Sequence, residues 1–491
     1  MPLSKKICTF VLRIKLKTKM RQNFLKIVSF VALLGAIVLS GCCCNDCKPY
    51  KIVDNQIVFD EPARAEGQQS MLGFAAEPIP VVRVGFIGLG MRGPGAIKRF
   101  VNIEGAEIAA LCDLLPENVE KTQALLESLG RARVAEEATY SGEEGWKELC
   151  QREDLDLVYV VTPWDLHTPM AVYAMECGKH VAVEVPAAMT VAECWQLVDT
   201  SERTRRHCMM LENCIYDHFE LTTLNMAQQG LFGEILHVEG AYIHNLDRFW
   251  HEYQGNWRLI YNQAHRGDVY ATHGLGPISQ LLNIHRGDRM TRLVSMDTKS
   301  VCGLELAKES LGAETFANGD HTCTLIATEN GKTISLQHNV CTPRPYNRLY
   351  QLTGTKGFAN KYPVKGFLFA EVDEVSGNPD HENLSAHEFV PKEVRDALLE
   401  QYRHPIQIEL MERAKKVGGH GGMDFIMDSR LIYCLQNGLP LDQDVYDAAE
   451  WSCIGELSAA SIENGSMPVL VPDFTRGEWD KIDGYRHAMK E

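Results

Sequence analysis

Three glycines and one acid set the first chemistry open to this sequence. Gly88-Leu89-Gly90-Met91-Arg92-Gly93 has the spacing of a loop that wraps a pyrophosphate, and Asp113 lies twenty residues past Gly93. A glycine loop alone is weak evidence, so its flanks decide. Residues 81–86 (VVRVGF) read as an apolar strand, 96–101 as a helix, and 107–112 as a second strand ending at Asp113. In that setting Gly88 makes the tight turn, Gly90 lets the backbone approach the pyrophosphate, and Gly93 allows the helix to close on the strand. The helix N-terminus then faces phosphate charge. Asp113 is expected to accept from the adenosine ribose and repel a 2′-phosphate. Leu114-Leu115-Pro116 offers no arginine to receive one. NAD rather than NADP is the expected cofactor.

The elements that must position this loop continue along the chain. Residues 155–161 (LDLVYVV) read as a buried parallel strand, followed by Thr162-Pro163-Trp164-Asp165-Leu166-His167, a helix over 169–177 and a strand over 180–184. The nicotinamide end belongs at such strand C-termini. After Asn213 the pattern changes. Strands are expected over 235–244, 292–299, 322–340 (folded at Glu329-Asn330-Gly331-Lys332), 347–353 and 366–371. Helices are expected near 394–416, broken at His404-Pro405, and over 423–436 and 445–463. The fold class is α/β: a Rossmann dinucleotide-binding domain over 81–212, then an α+β domain over 213–491 with an open, mainly antiparallel sheet.

Composition narrows the function. Hydrophobic content of 45% and charged content of 23% are those of a globular protein, and the net charge of −16 argues against nucleic acid as a partner. Cys112, Cys150, Cys177, Cys194, Cys208, Cys214, Cys302, Cys323, Cys341, Cys434 and Cys453 show no disulfide spacing and are expected to be buried thiols. No metal is expected: His251-Glu252 lacks the second histidine of HExxH, since residue 255 is glycine. Gly418-Gly419-His420-Gly421-Gly422 comes without a GxSxG elbow and reads as a glycine hinge.

The N-terminus carries an address. Lys15, Lys17, Lys19, Arg21 and Lys26 precede an uncharged apolar run over 27–41, too short for a comfortable membrane span. The run ends in Leu39-Ser40-Gly41-Cys42, which resembles the lipobox of bacterial lipoproteins. The expectation is a signal peptide over 1–41, acylation at Cys42, and a tether over 42–80 broken by Pro62, Pro78 and Pro80. Met20 would give a signal of more usual length. At about 0.8 kcal/mol per buried CH₂, two or three acyl chains would hold the protein firmly on a membrane. The expected location is the cell envelope, lipid-anchored on the non-cytoplasmic side of a bacterial membrane.

GFIGLGMRG, the TPWDLH segment and GKHVAVEVP resemble the glucose–fructose oxidoreductase superfamily. More narrowly, MRG, WDLH, EVP, LEN, NWR, HRGDVYATHGLGP, CTPRPY and GHGGMD are similar to glycoside hydrolase family 109, the NAD-dependent α-N-acetylgalactosaminidases, over roughly residues 81–475. Carried over by motif, the resemblance implies cofactor contacts at Met91, Arg92, Asp113, Trp164, Asp165, Leu166, His167, Glu184, Val185 and Asn213. It implies sugar contacts at Tyr242, Arg258, Tyr270, Ala271, Thr272, His273 and Tyr346. Plain sugar dehydrogenases of the superfamily usually carry a lysine where Val185 stands and an aspartate where Val269 stands. Their usual relay is therefore missing.

The resemblance implies a glycan with terminal α-N-acetylgalactosamine as substrate and an unusual route. NAD⁺ takes hydride from C3, a base removes the acidified C2 proton, the aglycone leaves C1, water adds, and the hydride returns. Tyr270 and His273, three residues apart on an expected extended or turn backbone, are the acid–base candidates, their individual roles open. A catalyst that regenerates its own NAD⁺ suits a compartment without a nicotinamide pool. Two alternatives stand beside it: an NAD-dependent sugar oxidoreductase of the same superfamily, and a non-catalytic glycan-binding surface lipoprotein. The intact glycine set and the YATH string weigh against the last. Self-association into a homo-oligomer is left open.

Overall fold

The computed structural model describes residues 48–384 and 387–490. The expected signal peptide and the Cys42 lipidation site lie outside the described residues. Among the described residues no helix is long and apolar enough to cross a membrane.

Six strands form an all-parallel sheet in the order Thr139–Ser141, Ala106–Asp113, Val82–Ile87, Leu157–Val160, His180–Val183 and Cys208–Met210. Leu157–Val160 and His180–Val183 are buried at every position, as strands covered by helices on both faces must be. The first crossover carries Gly93–Phe100, with Pro94 in its first turn, where the missing N–H has no partner to lose. This is the Rossmann arrangement expected from the glycine loop.

A second sheet has ten strands, ordered Tyr50–Val53, Gln56–Phe59, Val469–Leu470, Met290–Asp297, Thr322–Thr328, Thr333–Asn339, Ile235–Ile243, Tyr350–Gly354, Gly357–Asn360 and Gly366–Phe369. From Val469–Leu470 to Gly366–Phe369 the pairings are antiparallel except that Thr333–Asn339 lies parallel to Ile235–Ile243, and Val469 lies parallel to Ile57. One face packs on helices. Gly240 and Gly274 let Thr272–Leu281 sit directly on Ile235–Ile243: a Cβ on Gly240 would meet the Gly274 carbonyl oxygen at 2.1 Å. Val445–Glu463, almost wholly buried, packs on both sheets' layers and joins the two halves. Its Ser452 accepts from the Ala187 amide at 3.1 Å and its Glu456 from Val191 at 2.6 Å.

One expectation needs correction. The tether does not extend through 48–80. Ile57 and Phe59 point into the core by strand alternation, and Met71 is buried. Arg64 reaches Glu202 at 3.1 Å and Glu478 at 3.0 Å. The prolines mark bends in a segment strapped to the body. Of the extended or turn backbone expected at Tyr270–His273, the structure has the turn, at Val269–Tyr270, running into the helix Thr272–Leu281, where the Leu275 amide bonds to the Ala271 carbonyl at 2.9 Å. Gly274, Gly276 and Pro277 disfavour a helix locally; burial of the whole segment overrides that preference.

Candidate active site

A cavity of about 1450 Å³ runs between the two halves and is lined by residues of both. On its Rossmann wall, Gly88 has φ of +96°, and a Cβ there would strike the Val161 carbonyl oxygen at 2.3 Å. A Cβ on Gly93 would strike the Gly88 oxygen at 2.3 Å, whereas one on Gly90 would meet nothing within 4 Å. The loop therefore closes tightly on one side and leaves bare backbone facing the cavity, the shape a pyrophosphate needs. Asp113 accepts from the Leu89 amide at 2.6 Å, the Leu115 amide at 2.9 Å and Asn118 Nδ2 at 3.0 Å. A carboxylate has about four acceptor sites, which leaves one for a ribose hydroxyl. These residues fit NAD.

The opposite wall carries the acid–base groups. His273, in the first turn of Thr272–Leu281, places Nδ1 2.7 Å from Glu212 Oε2 and Nε2 3.3 Å from the Tyr270 hydroxyl. A carboxylate only accepts, so Nδ1–H donates to Glu212 and Nε2 faces Tyr270. Glu212 is fully buried. Burial pushes its pKa up, but the facing His273 and the Cys214 amide outweigh this and hold it below the ordinary carboxylate value. Burial drives the Tyr270 phenol well above its usual range, with Arg258 opposing. Gly276 makes room for this cluster: a Cβ there would meet Glu212 Cγ at 2.8 Å.

Arg258, on the helix Trp257–Ala264, sits among rings, its guanidinium 4.5 Å from the Tyr270 centroid, 5.0 Å from Trp164 and 5.2 Å from Tyr253. It donates to the Tyr253 hydroxyl at 2.6 Å and makes no ion pair among the described residues. Trp164 of the Rossmann half stacks on Tyr270 at 5.4 Å, so the two walls meet through aromatic contact. Tyr242 shares a 3.0 Å hydrogen bond with His244 Nδ1, and Tyr346 packs edge-on against that imidazole at 4.9 Å. Burial, then Arg258 and His273, push His244 down to about 4.

The cavity lining includes Gly88, Gly90, Met91, Arg92, Asp113, Trp164, Leu166, His167, Glu184, Val185, Asn213, Tyr242, Arg258, Tyr270, His273 and Tyr346. Four expected contacts lie off it. Gly93 packs beneath the loop, Asp165 is exposed outside the lining, and Ala271 and Thr272 are buried in the helix start. His167 is a brace as well as a lining residue: its ring nitrogens bond the Pro186 and Thr162 carbonyls at 2.7 and 2.8 Å.

The glycine-hinge reading of 418–422 also changes, since His420 lines the cavity. Glu212, His244, Tyr253, Trp257, Arg348 and His420 are site residues that motif reading did not single out. Glu212 neighbours Asn213 within LEN, which was the available signal. Glu212, Cys214 and His273 present ligand atoms within 4.8 Å of one another, and Arg348 Nη1 lies 2.7 Å from Cys214 Sγ.

A Rossmann groove opening onto a tyrosine–histidine–glutamate cluster defines an NAD-binding protein of the two-domain oxidoreductase type. The description "Oxidoreductase family, NAD-binding Rossmann fold" matches residues 82–212, and "Glycosyl hydrolase 109, C-terminal domain" matches 216–481. Glycosyl hydrolase family 109 protein 1 of Phocaeicola vulgatus is 62% identical over 435 residues, covering 88% of this chain and 92% of that one. Its namesake in Bacteroides fragilis is 58% identical over 464 residues, covering 94% and 98%. Among solved structures, levoglucosan dehydrogenase with NADH and levoglucosan superimposes with a TM-score of 0.57 at 17% identity, over 80% of this chain and all (100%) of the other. WlbA dehydrogenase from Bordetella pertussis, with NADH and UDP-GlcNAcA, gives 0.58 at 16% identity, over 81% and 100%. The chain belongs to glycosyl hydrolase family 109.

Proposed function

We propose that the enzyme is an exo-acting α-N-acetylgalactosaminidase that cleaves by oxidation, elimination, addition and reduction, with NAD as a resident cofactor. The observation that carries this is the Tyr270–His273–Glu212 chain opening into the same cavity as the glycine loop. Bound NAD supplies the hydride acceptor and donor at C3 of the sugar, so no reductant is consumed. The protein's task is then proton transfer and orientation. Glu212 fixes the His273 tautomer, which leaves Nε2 and the Tyr270 hydroxyl to move protons at the sugar. Arg258, with donors to spare and no acid partner, holds a sugar oxygen that gains negative charge.

The cavity's carboxylates favour this route over a two-acid hydrolysis. They are Asp113, Glu143, Glu184 and Glu252. Asp113 is occupied by three donors and Glu184 faces Arg92 at 3.4 Å, while Glu143 and Glu252 are exposed. Turnover in heavy water tests the reading. Deuterium at C2 of the released N-acetylgalactosamine, with net retention of the α-anomer, is expected. A two-carboxylate mechanism leaves C2 untouched. Denatured pure enzyme should release close to one NAD per chain; freely dialysable, substoichiometric cofactor contradicts residency.

The same reading puts the enzyme on the outer side of a bacterial membrane through acylated Cys42, motivated by the LSGC string after an apolar run. Mass spectrometry of the membrane form should find an acylated N-terminal cysteine. Its absence removes the anchor, and Cys42→Ser should leave uncleaved or soluble protein.

A further inference from the structure

The loop over 340–349 is a wall with two sides. Tyr346 and Arg348 line the active cavity, whereas Arg344 and Asn347 line a second cavity of about 430 Å³. Asn347 and Ile243 exchange backbone hydrogen bonds of 2.9 Å, which tie the loop to the end of Ile235–Ile243 and fix that division. Neighbours on a strand point to opposite faces, so Tyr242 lines the active cavity and Ile243 the second. Tyr346 and Tyr362, one from each cavity, meet edge to face at 6.4 Å.

Aromatic rings form one side of the second cavity. Phe358 and Phe389 stack at 6.0 Å with their planes 17° apart. Gly366 lets this platform lie on the sheet, since a Cβ there would meet the Phe389 ring at 2.5 Å. Phe389 is 41% exposed, so its face is left open by the protein's own packing.

Polar groups face the rings. The Gln337 amide and the Tyr362 hydroxyl, both in the lining, make no hydrogen bond among the described residues. Arg344 is the one charged side chain in the lining, and it makes no ion pair among the described residues. Burial, then Arg344, holds the His321 pKa below its usual value, as an uncompensated cation nearby should. Glu239 is occupied elsewhere: Gln351 Nε2 donates to it at 2.5 Å.

Each part has a matching chemistry. Rings bind the apolar face of a pyranose, and amide and phenol groups exchange hydrogen bonds with its hydroxyls. An unpaired guanidinium takes a carboxylate or a sulfate. We propose that this second cavity is a binding site for an acidic sugar, one bearing a carboxylate or a sulfate ester. The proposal goes beyond the reaction described above and does not depend on its route. An acidic sugar held here would keep a larger glycan beside the loop that carries Tyr346 into the active cavity.

Isothermal titration of the holoenzyme tests this. The probes are methyl β-D-glucuronide, N-acetylglucosamine 6-sulfate and their uncharged counterparts, methyl β-D-glucoside and N-acetylglucosamine. At least one acidic probe should bind once per chain, about 10-fold or more tighter than its counterpart, and more weakly as salt is raised. Which acidic probe binds tells whether the guanidinium takes the carboxylate, the sulfate or either. Excess N-acetylgalactosamine should leave this binding unchanged. Arg344→Gln should abolish the preference for the charged probe, and Phe389→Leu should weaken charged and uncharged probes alike. Bound NAD and the melting temperature of Arg344→Gln, an exposed position, should match the wild type, so lost binding there is not lost fold.

No binding of either acidic probe, binding equal to that of the uncharged counterparts, or binding unmoved by Arg344→Gln would overturn the site. Binding that excess N-acetylgalactosamine abolishes would place the probe in the active cavity and overturn it too. Binding lost as the chain self-associates would assign this face to a second copy, with the same consequence. Failure to hydrolyse an α-N-acetylgalactosaminide would count against the proposed activity alone, and the titration would still decide the second site.

Discussion

The two walls of the cavity use opposite means. The Rossmann wall presents backbone: a bare glycine turn, a helix start and one carboxylate, contributed by 26 consecutive residues from Gly88 to Asp113. The facing wall presents rings and charges drawn from segments far apart in sequence: Tyr242, Arg258, Tyr270 with His273, and His420, with Glu212 buried behind His273. Backbone donors at a helix start suit a constant ligand held tightly. Histidines oriented by buried acids suit groups whose protonation changes each cycle. Holding the cofactor and doing the chemistry should therefore be separable by mutation.

The largest effect should come from the backbone wall. Gly88→Ala puts a methyl group into the Val161 carbonyl and forces a non-glycine residue to φ of +96°. Activity and bound NAD should vanish together. Retained stoichiometric NAD would break the division of labour. On the facing wall, Tyr270→Phe and His273→Ala should each cost about 10²-fold or more in kcat with NAD retained. Loss of cofactor from those variants would show instead that the walls are mechanically coupled, as the Trp164–Tyr270 stack allows.

The same contrast governs what the sequence discloses. A glycine turn, its helix and Asp113 are local, so spacing alone locates them. The apolar runs that become buried parallel strands are equally plain. His273 is legible only through resemblance, because its partner Glu212 is 61 residues away and nothing local pairs them. His420 looks like a hinge because its glycines are visible while Asp424's contact with it depends on a folded turn. The strap over 48–80 reads as a tether because it is rich in polar residues and broken by prolines, whereas its anchors, Glu202 and Glu478, lie 138 and 414 residues from Arg64.

A smaller effect should follow from Arg258→Met, which keeps a comparable apolar stem among the rings and deletes the charge. If the guanidinium meets negative charge that grows only during reaction, kcat should fall about 10-fold or more with KM little changed. A rise in KM alone would make Arg258 a ground-state contact. Arg258→Lys should not rescue, because a point charge cannot span the donors a planar fork supplies.

The smallest effect concerns stability at Asp268, two residues before Tyr270. It is buried, its Oδ1 has no partner, and burial pushes its pKa to about 7 against the weaker pull of the Tyr270 amide. The unfolded chain would titrate it near the ordinary aspartate value of about 3.9. The folded state therefore binds this proton more tightly. The stabilising contribution is complete below about pH 4, falls as pH rises towards 7, and is absent above it. Asp268→Asn cannot ionise, so it escapes that loss. The melting temperature of the variant minus that of the wild type should grow by at most a few degrees between pH 5 and pH 8. A difference independent of pH would mean that Asp268 is already ionised in the folded protein, and that an unseen donor holds its charge beside the catalytic turn.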